Sequence, residues 1–588
     1  MMIVDLFIHP TSWFILGALL MPFAKRFGIQ KIWLIVIPLV AMATIYRLPD
    51  SFGIVHYLGF DLQFGRVDSL TFIFLHVFTL MALIGCIFGL QVKETGQHIA
   101  AFLYVAGSLG VTLAGDYLTL FIFWELMAFA STFLIWYRKK KRSIEAGYRY
   151  LLVHTAGGLI LLAGIFLLYQ TGHDLSFGIL SQEGAGWAEY LIMIGFLLNA
   201  AAPPIHAWLP DAYPEATVTG AVFMCAFTTK TAVYVLMRGF PGFEVLAIIG
   251  ACMALYGVGY AVIENDARRI LAYHVVSQVG YMVCGVGIGT AMALNGVAAH
   301  AYAHIIYKAL LFMGAGAVLE MTGRSKLSEL GGLYRTMPLT MIFTIIGGIA
   351  ISGFPLTSGF VSKSMIVAAA GYNHQTILLV MLLLAGVGTF LSVGIKLPYF
   401  IWFGKDSGIR AKEAPWNMQL AMAMAAFICI FFGVYPAALY SMLPYAAEYQ
   451  PYYAYHLSET FQLFGFTGLG FYLMVKYLKP HDVSNLDLDW FYRKGSVRFI
   501  SFAKGPIISV NEWVSNVYQN IGLRMTMALA RAFSWFDREG IDWTIDGSAR
   551  SIVEGGDSVR QIQTGRLQHY IAAGVIAVLV LLVVVIFI

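Results

Sequence analysis

Charge is what this sequence has least of. Asp, Glu, Lys and Arg make up 12% of the 588 residues against 59% hydrophobic ones, and mean hydropathy is +0.75. A soluble domain carries roughly 25% charged residues, so the composition excludes a soluble globular chain and indicates a polytopic membrane protein. Cysteine is scarce as well. Cys86, Cys225, Cys252, Cys284 and Cys429 stand singly inside apolar segments, which excludes a CxxC metal or redox motif and leaves small packing residues. No dinucleotide fingerprint, Fe–S cysteine set or haem ligand pair is present, so no cofactor is expected and no redox step in this chain. The net charge of +5 comes without a basic patch, which excludes nucleic acid as a partner.

What the sequence has in abundance is apolar runs of bilayer length. Windows of about 20 residues give sixteen candidate spans, the first at 11–24, the last at 569–588, with others at 117–137, 150–170, 189–207, 217–238, 294–320, 338–370, 376–403 and 457–476. Met1 to Leu20 runs into the first of these without a small-residue cleavage site, which reads as a retained span. Lys and Arg occupy alternate loops, most densely in Arg138, Lys139, Lys140, Lys141 and Arg142. That alternation predicts a multi-pass protein of the cell (inner) membrane with its N-terminus outside.

Two spans carry breakers at their centres: Pro203 and Pro204 in LLNAAAPPIHAWLPDA, and Gly353, Pro355 and Gly359 in AISGFPLTSGFVSK. An interrupted helix exposes backbone polar groups, tolerated in lipid only where the segment is buried in protein or lines a hydrated cavity. Ionisable residues cluster in the same region. Glu125 lies in FIFWELMAF, Lys230 in FTTKTAVYVL, and His300, His304 and Lys308 recur every fourth residue in HAYAHIIYKALLF; Lys363 follows the second break and Lys396 lies in LSVGIKLPYF. The i, i+4, i+8 spacing puts the middle three on one stripe of a helix. A lysine at the bilayer centre costs ~2.5–3.5 kcal/mol, so several such groups need a reason beyond packing. Burial disfavours the charged state of amines and carboxylates alike, which lets a file of such groups exchange protons when a neighbour's charge changes.

Each group also has a structural reading. Glu125 can neutralise Lys230 as a buried ion pair. His300 and His304 can be interhelical hydrogen-bond glue or an i, i+4 metal pair, although no third ligand stands between them. Lys396 can snorkel from the end of its span, and His154 and His206 read as packing residues. Glu264 and Asp266 beside Arg268 and Arg269 read as a solvated loop. A five-span unit holding His154, a break and Lys230 is followed by one holding His300 and His304, a break and Lys396. Because five is odd, the two units have opposite orientations, the inverted-repeat plan that places sites at the repeat interface.

WELMAF around Glu125, APPIHAWLPDAYPEATVTG, NDARRILAYHVVSQVGYM, HAYAHIIYKALLF and GFPLTSGFVSK, in that order over roughly residues 60 to 445, resemble the antiporter-like subunits shared by respiratory complex I, Mrp-type multisubunit cation/proton antiporters and membrane-bound hydrogenases. The resemblance implies about 14 core helices in two inverted five-helix repeats, and roles for Glu125, Lys230, His300, His304, Lys308 and Lys363 in proton movement. It also implies other membrane subunits as partners. One departure stands out: Asn199 occupies the place of the family's seventh-span lysine, so the Glu125 switch loses its usual cation. Either Lys230 or a partner subunit substitutes, or the first half does not conduct.

Residues 481–568 are too polar for lipid, yet mix Trp, Phe and Ile with Lys and Arg at helical spacing. With 569–588 they resemble the lateral helix and anchoring span of the distal complex I subunit. Gly505-Pro506 and Gly555-Gly556 predict interruptions in that helix. The expected organisation is an all-α fold of N-terminal spans (1–98), a first half-channel (99–240), a second (241–405), further core spans (406–480), the amphipathic segment (481–568) and the anchor (569–588). The implied function is proton translocation coupled to Na+ exchange or to a redox machine elsewhere in an assembly, with a non-conducting scaffold as the bland competitor.

Overall fold

The computed structural model describes residues 3–482 and 486–587. It divides into two compact units, Met1–Asp489 and Trp490–Ile588. Among the described residues twelve helices are long and apolar enough to cross a bilayer. The multi-pass helical expectation holds with one addition: Ser51–Tyr57 pairs antiparallel with Phe60–Arg66. Leu58 and Gly59 both take positive φ between these strands, which suits a tight two-residue hairpin turn. A window tuned to apolar spans passes over so short an element.

The same backbone frame occurs twice in the first unit. Phe177 N–H donates to Gly115 O at 2.8 Å and Tyr117 N–H to Leu175 O at 2.9 Å; Leu327 N–H donates to Asn265 O and Ala267 N–H to Ser325 O, both at 2.9 Å. From 115 to 265 and from 175 to 325 the displacement is a constant 150 residues. Asp116 and Asp266, at equivalent places, accept from backbone N–H groups in the first turns of Tyr117–Trp136 and Ala267–Ile288, as N-cap carboxylates do. A Cβ on Gly107 would stand 2.7 Å from Met127 N, and one on Gly257 would stand 2.5 Å from Ser277 N. Small residues at these two points let neighbouring helices approach backbone to backbone. His154 and His304 stand at the same displacement.

Both expected breaks are present. The helix Trp187–Asn199 stops before Ala201, Pro203 and Pro204, and a new helix starts at Trp208. Pro338–Ser352 ends in Gly353 with φ 80 and the chain resumes helix at Ser358–Tyr372, a left-handed C-cap that glycine adopts without strain. The segments 189–207 and 338–370, read from sequence as single spans, are therefore each split. A third break was not visible: 217–238 divides at Phe227 into Val218–Ala226 and Thr228–Gly239 without glycine or proline. In Thr376–Phe403 the ladder widens into π turns at Phe390–Lys396 and Tyr399–Phe403, a feature frequent near functional sites.

The expected solvated loop at 264–269 is instead a buried joint. Arg268 is 1% exposed and its guanidinium donates to the carbonyls of Tyr213, Pro214, Ala216 and Thr217 at 2.9–3.2 Å. Carbonyls gathered where Trp208–Glu215 ends and Val218–Ala226 begins explain why a charge is buried there.

In the second unit the helical run from Asp489 reaches Ile562 without a stop. At about 1.5 Å per residue it extends roughly 110 Å. The interruptions expected at Gly505-Pro506 and Gly555-Gly556 do not occur. Pro506 sits in a π turn, Ala503–Ile507, where the widened ladder accommodates its missing N–H. The two glycines lie inside Trp543–Ile562, each costing only about 1 kcal/mol in a helix interior. Gly565, with φ 65, separates the run from the apolar helix Leu567–Phe587.

Candidate functional site

The helix Ala291–Thr322 carries His300, His304 and Lys308, all 0% exposed. The two imidazole centroids lie 6.1 Å apart, and Tyr307 lies between them, its ring 5.2 Å from that of His304 and its hydroxyl 3.4 Å from His300 Nε2. His300 Nδ1 is 3.3 Å from Ser362 Oγ on the helix Ser358–Tyr372, next to Lys363. Both nitrogens of His304 and the ammoniums of Lys308 and Lys363 have no hydrogen-bond partner among the described residues. Lys363 Nζ lies 4.4 Å above the Tyr281 ring, a cation–π contact that partly offsets the lost hydration.

Lys230 is placed by the unexpected break. The end of Val218–Ala226 frees the carbonyl of Cys225, to which Lys230 Nζ donates at 2.6 Å, with Thr229 Oγ1 at 3.1 Å. It stands within electrostatic range of His300, His304 and Lys308. No ion pair joins it to Glu125 among the described residues. Glu125 is half-buried and folds over Gly158, where an added Cβ would meet Oε1 at 1.9 Å. Asn199 and His154, both buried, face one another and have no other hydrogen-bond partner for their polar atoms among the described residues. His154 packs against Tyr150 and Trp208, with centroids 4.1 and 4.5 Å away.

Lys396 does not snorkel. It is 2% exposed and donates to Val262 O at 2.5 Å and Glu264 O at 3.0 Å, at the C-terminal end of Glu244–Ile263. A cation on the unpaired carbonyls of a helix end is a capping arrangement. The structure thus brings Lys230, His300, His304, Lys308 and Lys363 towards one another and leaves Glu125 and Lys396 at the margins.

Several groups escaped the sequence reading. His274 Nε2 lies 2.7 Å from Ser392 Oγ in a π turn, and Gln278 Nε2 lies 3.3 Å from Thr389 Oγ1. Both occur in NDARRILAYHVVSQVGYM, where the polar face at 274, 278 and 281 was the available signal. His206, read as packing, lies 3.3 Å from the carboxylate of Asp487, which also accepts from Tyr273 at 2.5 Å and from Tyr256. Burial pushes the Asp487 carboxyl up, but these three donors outweigh it and hold the group below the usual carboxylate range. Among the described residues no three His, Cys, Asp or Glu side chains are grouped to hold a metal ion.

A family model described as NADH:quinone oxidoreductase/Mrp antiporter, TM, matches residues 114–392, the segment holding Glu125 to Ser392. One Na(+)/H(+) antiporter subunit of Alkalihalophilus pseudofirmus is 27% identical over 76% of this chain and 95% of its own length. Another Na(+)/H(+) antiporter subunit of the same organism is 27% identical over 96% of this chain and 74% of its own. Among solved structures, a chain of the Mrp complex from Dietzia sp. DQ12-45-1b has a similar fold, with TM-score 0.67 and 20% identity over 80% of this chain and 99% of that one.

Proposed function

This chain belongs to the antiporter-like membrane-subunit family shared by Mrp-type antiporters and NADH:quinone oxidoreductases, and from that premise we propose that it moves protons across the membrane as one subunit of a multisubunit cation/proton antiporter. The observation that carries the reading is the group of buried ammoniums and imidazoles whose nitrogens lack partners at His304, Lys308 and Lys363. Leaving such groups unsatisfied costs free energy that packing alone does not return. Imidazole rings about 6 Å apart are within reach of one bridging water, a spacing over which protons pass by alternating protonation.

In this reading Lys230 loads His304, the proton passes by Tyr307 to His300, and Ser362 leads it towards Lys363. Lys308 gives up and regains a proton beside His304 and so resets the local charge, while Glu125 serves a first half in which Asn199 stands in place of the family's cation. Lys396 shapes the inner end as a cap. The recurrence of one backbone frame after 150 residues supports two half-channels at 99–240 and 241–405. Residues 481–568 would run beside a neighbouring subunit, anchored by 569–588. The relatives' names favour Na+ as the coupled ion, and the alternation of basic loops favours an inner-membrane protein with its N-terminus outside. A redox-driven pump is the second reading, favoured by the family description. Co-purification of a soluble redox arm distinguishes it.

The test is proton flux in proteoliposomes holding the purified complex. Replacing both His300 and His304 with Ala removes flux while the complex stays assembled. Parental flux in that variant leaves only a scaffold.

A further inference from the structure

The helix Ala454–Met474 takes no part in the relay described above, yet it completes the surroundings of Lys363. A cavity of about 320 Å³ is lined by Lys363, Tyr281 and Gly386 together with His456 and Glu459 from this helix. That volume has room for several waters. Lys363 is 7% exposed, has no hydrogen-bond partner for Nζ among the described residues, and opens onto the cavity. Its Nζ lies 3.9 Å from the Cβ position of Gly386, so a bulkier residue there would crowd the ammonium. His456 is held by two contacts. Nδ1 lies 2.9 Å from Pro451 O, and the ring stacks on Phe360 at 4.6 Å, on the same helix as Lys363. With Nδ1–H given to that carbonyl, Nε2 is the nitrogen left to accept a proton. Glu459 is half-buried and stands within electrostatic range of Tyr449 and Tyr453, two other cavity residues.

We propose that Glu459 is the group to which Lys363 releases its proton, with His456 next in line. The proposal rests on the proton-transport reading above and extends it to a helix outside the family match. One N–H bond of the Lys363 ammonium breaks and one O–H bond forms on the Glu459 carboxylate, through water in the cavity. The products are a neutral amine and a neutral acid. The acid then passes its proton to His456 Nε2 or to the surface. An amine and a carboxylate sharing a confined space can exist as an ion pair or as a neutral pair. Burial of Lys363 costs the ion pair solvation that the neutral pair does not need, and this narrows the gap between the two states. A change of charge at His300 then suffices to move the proton.

The experiment measures proton flux and its pH profile in proteoliposomes with the assembled complex carrying Lys363→Ala, Glu459→Gln or Glu459→Asp. Lys363→Ala and Glu459→Gln each lower flux by roughly tenfold or more, the scale of one general acid–base group. The double variant is no slower than the slower single one. Glu459→Asp restores most of the flux with a displaced pH profile, which a packing role would not produce. Parental flux and pH profile in Glu459→Gln, with Lys363→Ala inactive, overturns the assignment of Glu459 and leaves the transport reading standing. Full activity in Lys363→Ala overturns the transport reading itself.

Discussion

The helices around Glu125 and those around His304 share one backbone frame, yet they hold their ionisable groups in opposite ways. Around Glu125 a single half-buried carboxylate leans on Gly158, and the nearby polar side chains, Asn199 and His154, carry no permanent charge. Around His304, two imidazoles and two ammoniums are all but sealed from the surface. The frame therefore forms around Glu125 and Asn199 without the stripe of imidazoles and ammoniums that the second half keeps at a cost of some kcal/mol each.

Removing Lys230, the first-half cation within electrostatic range of His300, His304 and Lys308, breaks the comparison most severely. Lys230→Ala also orphans the Cys225 carbonyl, and flux in proteoliposomes should fall roughly a hundredfold, about 2.7 kcal/mol of lost barrier reduction. Next in size is a test of the shared frame. Gly107→Ala and Gly257→Ala should each lower the thermal stability of the purified complex by a similar amount, about 1–3 kcal/mol for overpacking. A large difference between them would mean that the frames are not equivalent.

Asn199→Lys sharpens the contrast by supplying a cation at the position where the resemblance expects one. Flux should change several-fold, about 1 kcal/mol, and Glu125→Gln should do more harm in that background than alone. An unaltered rate with intact assembly would remove the argument.

The smallest effect is expected outside the membrane, at Asp487. Its carboxyl is held below the ordinary carboxylate value of about 4. It therefore contributes attachment fully above that value and loses it as the pH falls further, when the proton must go on. Hydrogen-exchange protection at residues 486–488, taken relative to the intrinsic rate at each pH, should stay constant from pH 7 to about 5 and fall in more acid solution. In Asp487→Asn it should be lowered at pH 7 already.

Apolar length, Pro and Gly breakers and charges stranded in grease were legible from the sequence because each is a local signal. Pro203, Pro204 and Gly353 announced their breaks, and the spacing of His300, His304 and Lys308 announced one stripe. The break at Phe227 was hidden because tertiary contacts make it, with Lys230 on the released carbonyl in place of a glycine or proline. Arg268 looked solvated because its four carbonyl partners lie more than fifty positions away. Asp487 was unmarked within the segment 481–568 for the same reason, its partners being 214 to 281 positions distant. Gly505-Pro506 misled in the other direction, since a π turn absorbs what an α turn would not.

The central claim is that the buried amines of the second half act by giving up and regaining protons, not by holding a fixed positive charge. Lys308 decides it, because arginine keeps the charge and cannot release its proton at physiological pH. Proton flux through the assembled complex carrying Lys308→Arg, set beside Lys308→Ala, is the direct measurement. The account predicts that both variants are inactive; flux retained by the arginine variant and lost in the alanine variant would contradict it.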